Sequence, residues 1–227
     1  MKTSPLLLSL GAALLLGAPV LPAQDPSPAS APEAGVKVGS KVGWLADWTL
    51  PLATGGELRF AELLPKERKP GEKPETRFIV LTFWSCKCPW QIAWDPEFIA
   101  IQKEYGPKGV KVVAVDSNKP SHESLEEIQA RLRKAGINFP VALDKGNKLA
   151  DLFQAQTTPH VFLIDHQGRV LYTGAPNNYA YPDRVPKEKR EAWLRDALDA
   201  ALAGKEIHKA STRPQGCSIK RERKVRS

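Results

Sequence analysis

The apolar positions of this chain form short runs whose spacing switches between strand-like and helix-like. Arg77 to Trp84 is a continuous apolar run with β-branched residues, which predicts a strand buried on both faces. Pro89 to Tyr105 then places apolar residues at Trp90, Ala93, Trp94, Phe98, Ile99 and Ile101, a helical spacing that Pro96 should kink or restart and that Gly106 and Gly109 end. Val110 to Val115 predicts a second buried strand. Ser121 is placed to cap a helix reaching about Lys134, with Leu125, Ile128 and Leu132 on one face and Gly136 as its stop.

Further on, Phe139 to Leu143 predicts a short strand and Asn147 to Phe153 a short helix. His160 to Asp165 and Arg169 to Thr173, joined by His166-Gln167-Gly168, predict a β-hairpin. A last amphipathic helix is expected from Pro186 to Ala203, with Trp193, Leu194, Ala197 and Leu198 facing the core. Near the start, Thr49 to Leu52 and Glu57 to Phe60 flank Thr54-Gly55-Gly56 as the arms of a small hairpin. Pro65 to Pro74 is charged and turn-rich, hence a surface loop. Strands alternating with helices, and a hairpin last, imply an α/β chain with a central mixed sheet flanked by helices on both faces.

The two ends change the picture. Residues 1–23 have the pattern of a cleaved signal: Lys2, an apolar stretch from Leu6 to Leu16, and Leu21-Pro22-Ala23 at the cleavage site. Residues 24–37, rich in Pro, Ala and Ser, read as a flexible linker. The folded domain is expected over 38–204 and a basic tail over 205–227. No stable membrane span is expected once the signal is removed. The formal charge of +8 partly reflects the basic run from Lys220 to Arg226, expected as a solvated end. An exported chain has no evident use for a nucleic-acid partner, and a periplasmic or extracellular location follows from the leader.

Export implies an oxidising compartment in which a disulfide persists. Three cysteines are too few for a disulfide scaffold, and two of them, Cys86 and Cys88, end the buried run of 77–84 just where a helix begins. A thiol there faces the positive end of the helix dipole, which favours the reactive thiolate. That chemistry requires an exposed sulfur. Trp84 and Trp90 suggest an apolar rim for a substrate, and Lys87 a further cation beside Cys88.

Cys88-Pro89 and the run Thr158-Pro159-His160-Val161-Phe162-Leu163-Ile164-Asp165 together resemble the thioredoxin-like superfamily. More closely they resemble the redoxin branch that includes the alkyl hydroperoxide reductase/thiol-specific antioxidant family. Phe83-Trp84-Ser85-Cys86-Lys87-Cys88-Pro89 matches the first seven positions of the pattern Phe-Trp-x-x-x-Cys-Pro-x-Cys of exported members. The resemblance implies a thioredoxin-like fold, Cys88 as nucleophile, and a cis peptide bond at Thr158-Pro159 beside it, where backbone can pair with a bound peptide. Trp84, Pro89, Trp90, Thr158 and Pro159 are the substrate-binding residues it suggests. The chain departs from the pattern at Gln91, where the partner cysteine would stand. The acid that many thioredoxins bury beneath their disulfide has no counterpart in Phe78 to Phe83. Gly216-Cys217-Ser218-Ile219-Lys220 matches a Gly-Cys-x-Ile-Lys ending found in one branch of these proteins.

The main expectation is an exported thiol-disulfide oxidoreductase in which Cys88 attacks and Cys86 resolves by closing a small strained ring. Cys217, on a tail able to reach back, is the second candidate resolver. Substrates would be protein or small-molecule disulfides, or peroxides, with an electron-donating thiol partner and no cofactor or resident metal. The alternatives are a peroxiredoxin-like thiol peroxidase using Cys88, with Ser85 three residues before it, and a non-catalytic module. The latter would bind copper through His160 and the thiols or hold a peptide beside Pro159.

Overall fold

The structure, a computed structural model, describes residues 35–64 and 75–222. The expected signal and most of the expected linker lie outside the described residues, as do the 65–74 loop and the last five residues. Strands β1 (Thr49–Pro51) and β2 (Glu57–Arg59) form the antiparallel N-terminal hairpin, followed by a short helix α1 (Phe60–Leu63). The central strand β3 (Phe78–Trp84) is buried at every residue. Helix α2 (Pro89–Tyr105) follows and runs uninterrupted through Pro96, which lies on its exposed face.

Strand β4 (Val110–Asp116), helix α3 (Leu125–Ala135), strand β5 (Val141–Leu143) and helix α4 (Lys148–Phe153) complete the alternating half. The two-residue β6 (Thr157–Thr158) leads through a cis Thr158-Pro159 bond into β7 (His160–Asp165), which turns back into β8 (Val170–Gly174). Helix α5 (Trp193–Leu202) packs next, and β9 (Cys217–Ser218) closes the described chain. The sheet order is β5-β4-β3-β7-β8, with β3 parallel to β4 and antiparallel to β7, so the sheet is mixed as expected.

Period-two alternation along β3 sends Phe78, Val80 and Trp84 to one face and Ile79, Leu81 and Phe83 to the other. The first face packs Trp94 and Phe98 of α2, Ile128 and Leu132 of α3, and Leu194 and Leu198 of α5. The second packs Phe60 of α1 with Leu149 and Phe153 of α4. Each fully buried aliphatic or aromatic side chain contributes about 1.5–3 kcal/mol, so the two layers hold β3 rigidly at the centre.

Four expectations are corrected. The cap of α3 is Ser124, not Ser121: its hydroxyl accepts from the Glu127 N–H, and the Glu127 carboxylate accepts from the Ser124 N–H, a capping box. Helix α5 begins at Trp193, because the charged stretch from Lys187 to Lys189 forms a single 3-10 turn and Arg190 is spent on the carbonyls of Val185 and Pro182. The largest correction concerns the segment after Gly204. Its described part is not a solvated tail. It returns across the sheet edge, with Ile219 only 5% exposed and β9 paired antiparallel to β6. Its basic residues find acids on the domain: Lys209 with Glu191 at 2.7 Å and Arg221 with Asp151 at 2.9 Å. At the other end, Val36, expected in the linker, is buried against the second core layer.

Candidate functional site

The strand β3 ends at Trp84 and the helix α2 starts at Pro89, so the four residues between them form a tight loop. Cys88 is the N-cap of α2 and Pro89 its first residue, where a missing N–H costs nothing. The loop is wired from within. The Ser85 hydroxyl accepts from the N–H groups of Lys87 at 3.2 Å and Cys88 at 3.1 Å, and donates to the Glu123 carboxylate. The second oxygen of Glu123 accepts from the Cys86 N–H at 2.7 Å. One buried carboxylate and one hydroxyl thus satisfy every N–H from Cys86 to Cys88. Glu123 is the acid that sequence reasoning missed. It comes from the turn before α3, 35 residues past Cys88, and a turn-forming, polar neighbourhood gave it no buried signature.

Cys88 lies beneath the cis Thr158-Pro159 turn. Its thiol donates to the Thr158 carbonyl at 2.8 Å and accepts from the Cys217 N–H at 3.4 Å. The residue is 2% exposed, which corrects the expectation of an open sulfur. What covers it decides the meaning of that burial. The cover on this side is β9, a peripheral two-residue strand, and not a layer of the core.

The fold sets Cys217 against Cys88. Burial, and then its hydrogen bond with Cys88, push the Cys217 thiol up to about 11. Cys86, the expected resolver, is placed differently. It is buried on the α2 side of the sheet, and burial together with the carboxylates of Glu123 and Asp116 drives its thiol far above the ordinary range. A thiol so strongly held in its protonated form is a poor nucleophile. Burial and the neighbouring Glu123 likewise raise the carboxyl of Asp116.

The remaining expected site residues divide. The Thr158 carbonyl meets the Cys88 thiol, the bond from Thr158 to Pro159 is cis, and Pro89 is exposed next to Cys88 in the chain. Trp90 is half-buried and packs on Trp94 and Tyr181, with ring centroids 5.6 and 5.4 Å away. Trp84 is not on a substrate rim: it is fully buried, and its Nε1–H donates to Asp95 at 3.1 Å. Lys87 turns its charge to Glu127 at 2.8 Å. Both ring nitrogens of His160 are engaged, Nδ1 with the Gln156 N–H and Nε2 with the Thr173 hydroxyl, and burial lowers its pKa to about 4. Among the described residues no group of three or more His, Cys, Asp or Glu side chains is arranged to hold a metal ion.

The sequence profile of the AhpC/TSA family matches residues 46–173, more than half of the chain. The chain belongs to the AhpC/TSA family. Within this redoxin branch of the thioredoxin-like proteins, it is 28% identical over 120 residues to the thiol-disulfide oxidoreductase ResA of Halalkalibacterium halodurans, covering 52% of this chain and 66% of that protein. The chain spans about half to two thirds of the length of the curated relatives it matches.

Among solved structures, a hypothetical protein from Sinorhizobium meliloti 1021 is 26% identical, with a TM-score of 0.68 over 83% of this chain and 96% of that one. A putative thiol:disulfide interchange protein DsbE from Chlorobium tepidum is 25% identical, with a TM-score of 0.55 over 74% of this chain and 99% of that one. The AhpC/TSA match covers the hairpin and most of the sheet but stops short of Cys217.

Proposed function

We propose that this AhpC/TSA-family chain is an exported thiol-disulfide oxidoreductase in which Cys88 attacks a disulfide and Cys217 resolves the product. The observation that carries it is the convergence of Cys88, the cis Thr158-Pro159 turn and Cys217 on one spot at the start of α2. The kinship to proteins named thiol-disulfide oxidoreductase and thiol:disulfide interchange protein supports the reaction class. The leader-like residues 1–23 support export, and no helix among the described residues is long and apolar enough to cross a membrane.

In the first step the Cys88 sulfur, as thiolate, bonds to one sulfur of a substrate disulfide, and the other sulfur leaves with the electron pair and takes a proton. In the second, Cys217 loses its proton and attacks the Cys88 sulfur. The Cys88–Cys217 disulfide forms and the substrate's second sulfur leaves as a thiol. The substrate is reduced by two electrons and the protein oxidised by two; an external dithiol returns the pair. The N-terminal end of α2 points positive charge at Cys88 while it attacks, and the Cys217 N–H reaches the same sulfur when β9 is docked.

This reading replaces Cys86 with Cys217 as resolver, because Cys86 sits among carboxylates that hold its proton. The peroxidase reading is weaker, since the Ser85 hydroxyl is committed to Glu123 and to the loop N–H groups. Copper binding through His160 would need a ring nitrogen that Gln156 and Thr173 already occupy.

The test is peptide mapping of the full chain after mild oxidation, together with dithiol-driven reduction of a model disulfide. The expected result is a Cys88–Cys217 bridge with Cys86 free, and turnover lost in Cys88→Ser. A Cys86–Cys88 bridge, or turnover that survives Cys88→Ser, overturns the reading.

A further inference from the structure

Strand β9 occupies the backbone edge of β6, immediately before the cis Pro159, and each of its positions meets a different demand. Gly216 enters with a φ of 153°, and a Cβ added there would lie 2.1 Å from the Thr158 carbonyl oxygen and 3.1 Å from the Pro159 nitrogen. No side chain fits. Cys217 then lies against Cys88 and pairs in register with Thr158. Ser218, opposite Thr157, faces out and is exposed. Ile219 turns back in, 5% exposed in the second core layer, and its N–H donates to the Gln156 carbonyl at 3.2 Å. The alternation is that of a strand, with inward demands at the cysteine and two residues after it.

We propose that a protein substrate takes the place of β9 on the Thr157–Thr158 edge, and that the edge selects a cysteine preceded by glycine and followed two residues later by an aliphatic side chain. The proposal rests on the thiol-disulfide reading above. The edge has one row of N–H and C=O groups and pairs one strand at a time. Substrate and β9 therefore alternate. When β9 is away, Cys88 bonds to the substrate cysteine and the substrate's former partner sulfur leaves with the electron pair. When β9 returns, it brings Cys217 onto the Cys88 sulfur and takes back the edge. Resolution of the mixed disulfide and expulsion of the substrate strand become one event.

The experiment uses the full chain carrying Cys217→Ser, so that an adduct on Cys88 persists. Two hexapeptides are offered, Gln-Gly-Cys-Ser-Ile-Lys and its counterpart with alanine before the cysteine, each activated as a mixed disulfide with thionitrobenzoate. Dithionitrobenzoate alone is the control. The glycine peptide should react faster by roughly tenfold, because a Cβ at that position would lie 2.1 Å from the Thr158 carbonyl oxygen in a backbone region that essentially only glycine adopts. In its adduct, the amides of residues 217–219 should lose their hydrogen-exchange protection. Equal rates for the two peptides, or β9 amides that stay protected in the adduct, overturn the proposal. Reaction of dithionitrobenzoate with Cys88 while both peptides fail overturns it alone; failure of all three reagents removes the thiol-disulfide reading as well.

Discussion

The loop from Ser85 to Cys88 and the strand β9 both touch the same sulfur, yet they are held in opposite ways. Under the loop lies a buried polar network: Glu123 on Ser85 and Cys86, and below the first turns of α2 an Asp95 that is 1% exposed. Asp95 accepts from Trp84 Nε1, Gln91 Nε2 and the Arg131 guanidinium. Strand β9 and its flanks are held by edge hydrogen bonds, one buried isoleucine and half-exposed ion pairs. Buried networks open only when the domain unfolds, whereas edge contacts open locally and at low cost. Cys88 therefore sits on a fixed base under a removable cover, and its 2% exposure is compatible with the attacking role proposed for it.

The sharpest way to break that contrast is to attack the base. Arg131→Leu removes the cation from Asp95 and leaves a carboxylate buried without its charge partner. The loss should be about 3–5 kcal/mol of global stability, the range for breaking one half of a buried pair. Urea unfolding should show a lower midpoint at an unchanged slope, and adding Asp95→Asn should recover part of the loss. A loss no larger than that of an exposed ion pair would mean that the base is not what fixes the loop.

Much of this was legible beforehand. Continuous apolar runs located β3 and β4, the helical spacing after Cys88 located α2, and the Cys88-Pro89 and Thr158-Pro159 pairs pointed to two segments that the fold brings together. What stayed hidden has physical causes. Glu123 is an ordinary polar letter in polar surroundings, tied to Ser85 and Cys86 across 38 and 37 residues, and Asp95 sits among apolar letters of α2 while its cation, Arg131, lies 36 residues away. Trp84 looked like a rim because its indole is large, but the strand register turns it into the α2 layer. The return of the C-terminal segment was masked by its own composition. Basic residues suggested solvation, while Gly216, Cys217 and Ile219, the residues that dock, are too few to form a periodic signal. The motif ending in Lys220 pointed to that segment without telling where it would lie.

A smaller effect should appear at the seam between base and cover. His160 supports both, its Nδ1 holding the Gln156 N–H next to β6 and its Nε2 bonded to Thr173 on β8. Burial lowers its folded pKa to about 4, below the ordinary 6.5. Between those values the unfolded chain binds the extra proton, so the His160 contribution is intact above about pH 6.5 and is lost as the pH falls toward 4. The full loss amounts to about 3 kcal/mol. The raised carboxyls of Asp116 and Asp144 act in the opposite sense, so the measurement is the difference between the parent and His160→Gln. That difference should shrink as the pH drops from 7 to 4. A pH-independent difference would show that the imidazole is not the group that titrates.

The smallest effect should come from the cover, and it should be local. Thr212 fastens the start of the returning segment: its hydroxyl accepts from the Ala175 N–H at 3.1 Å and donates to Tyr172 Oη at 2.7 Å, because Tyr172 already donates to the Ala175 carbonyl. Thr212→Val removes both bonds, a loss of about 1 kcal/mol. If the segment opens independently, that loss falls on its own opening equilibrium. Amides near Cys217 should then exchange roughly fivefold faster, and Cys88 should be alkylated faster by a similar factor, while the melting temperature stays where it was. A melting temperature that falls by the full amount, with no gain in Cys88 reactivity, would place the segment in the same cooperative unit as the base and erase the distinction between them.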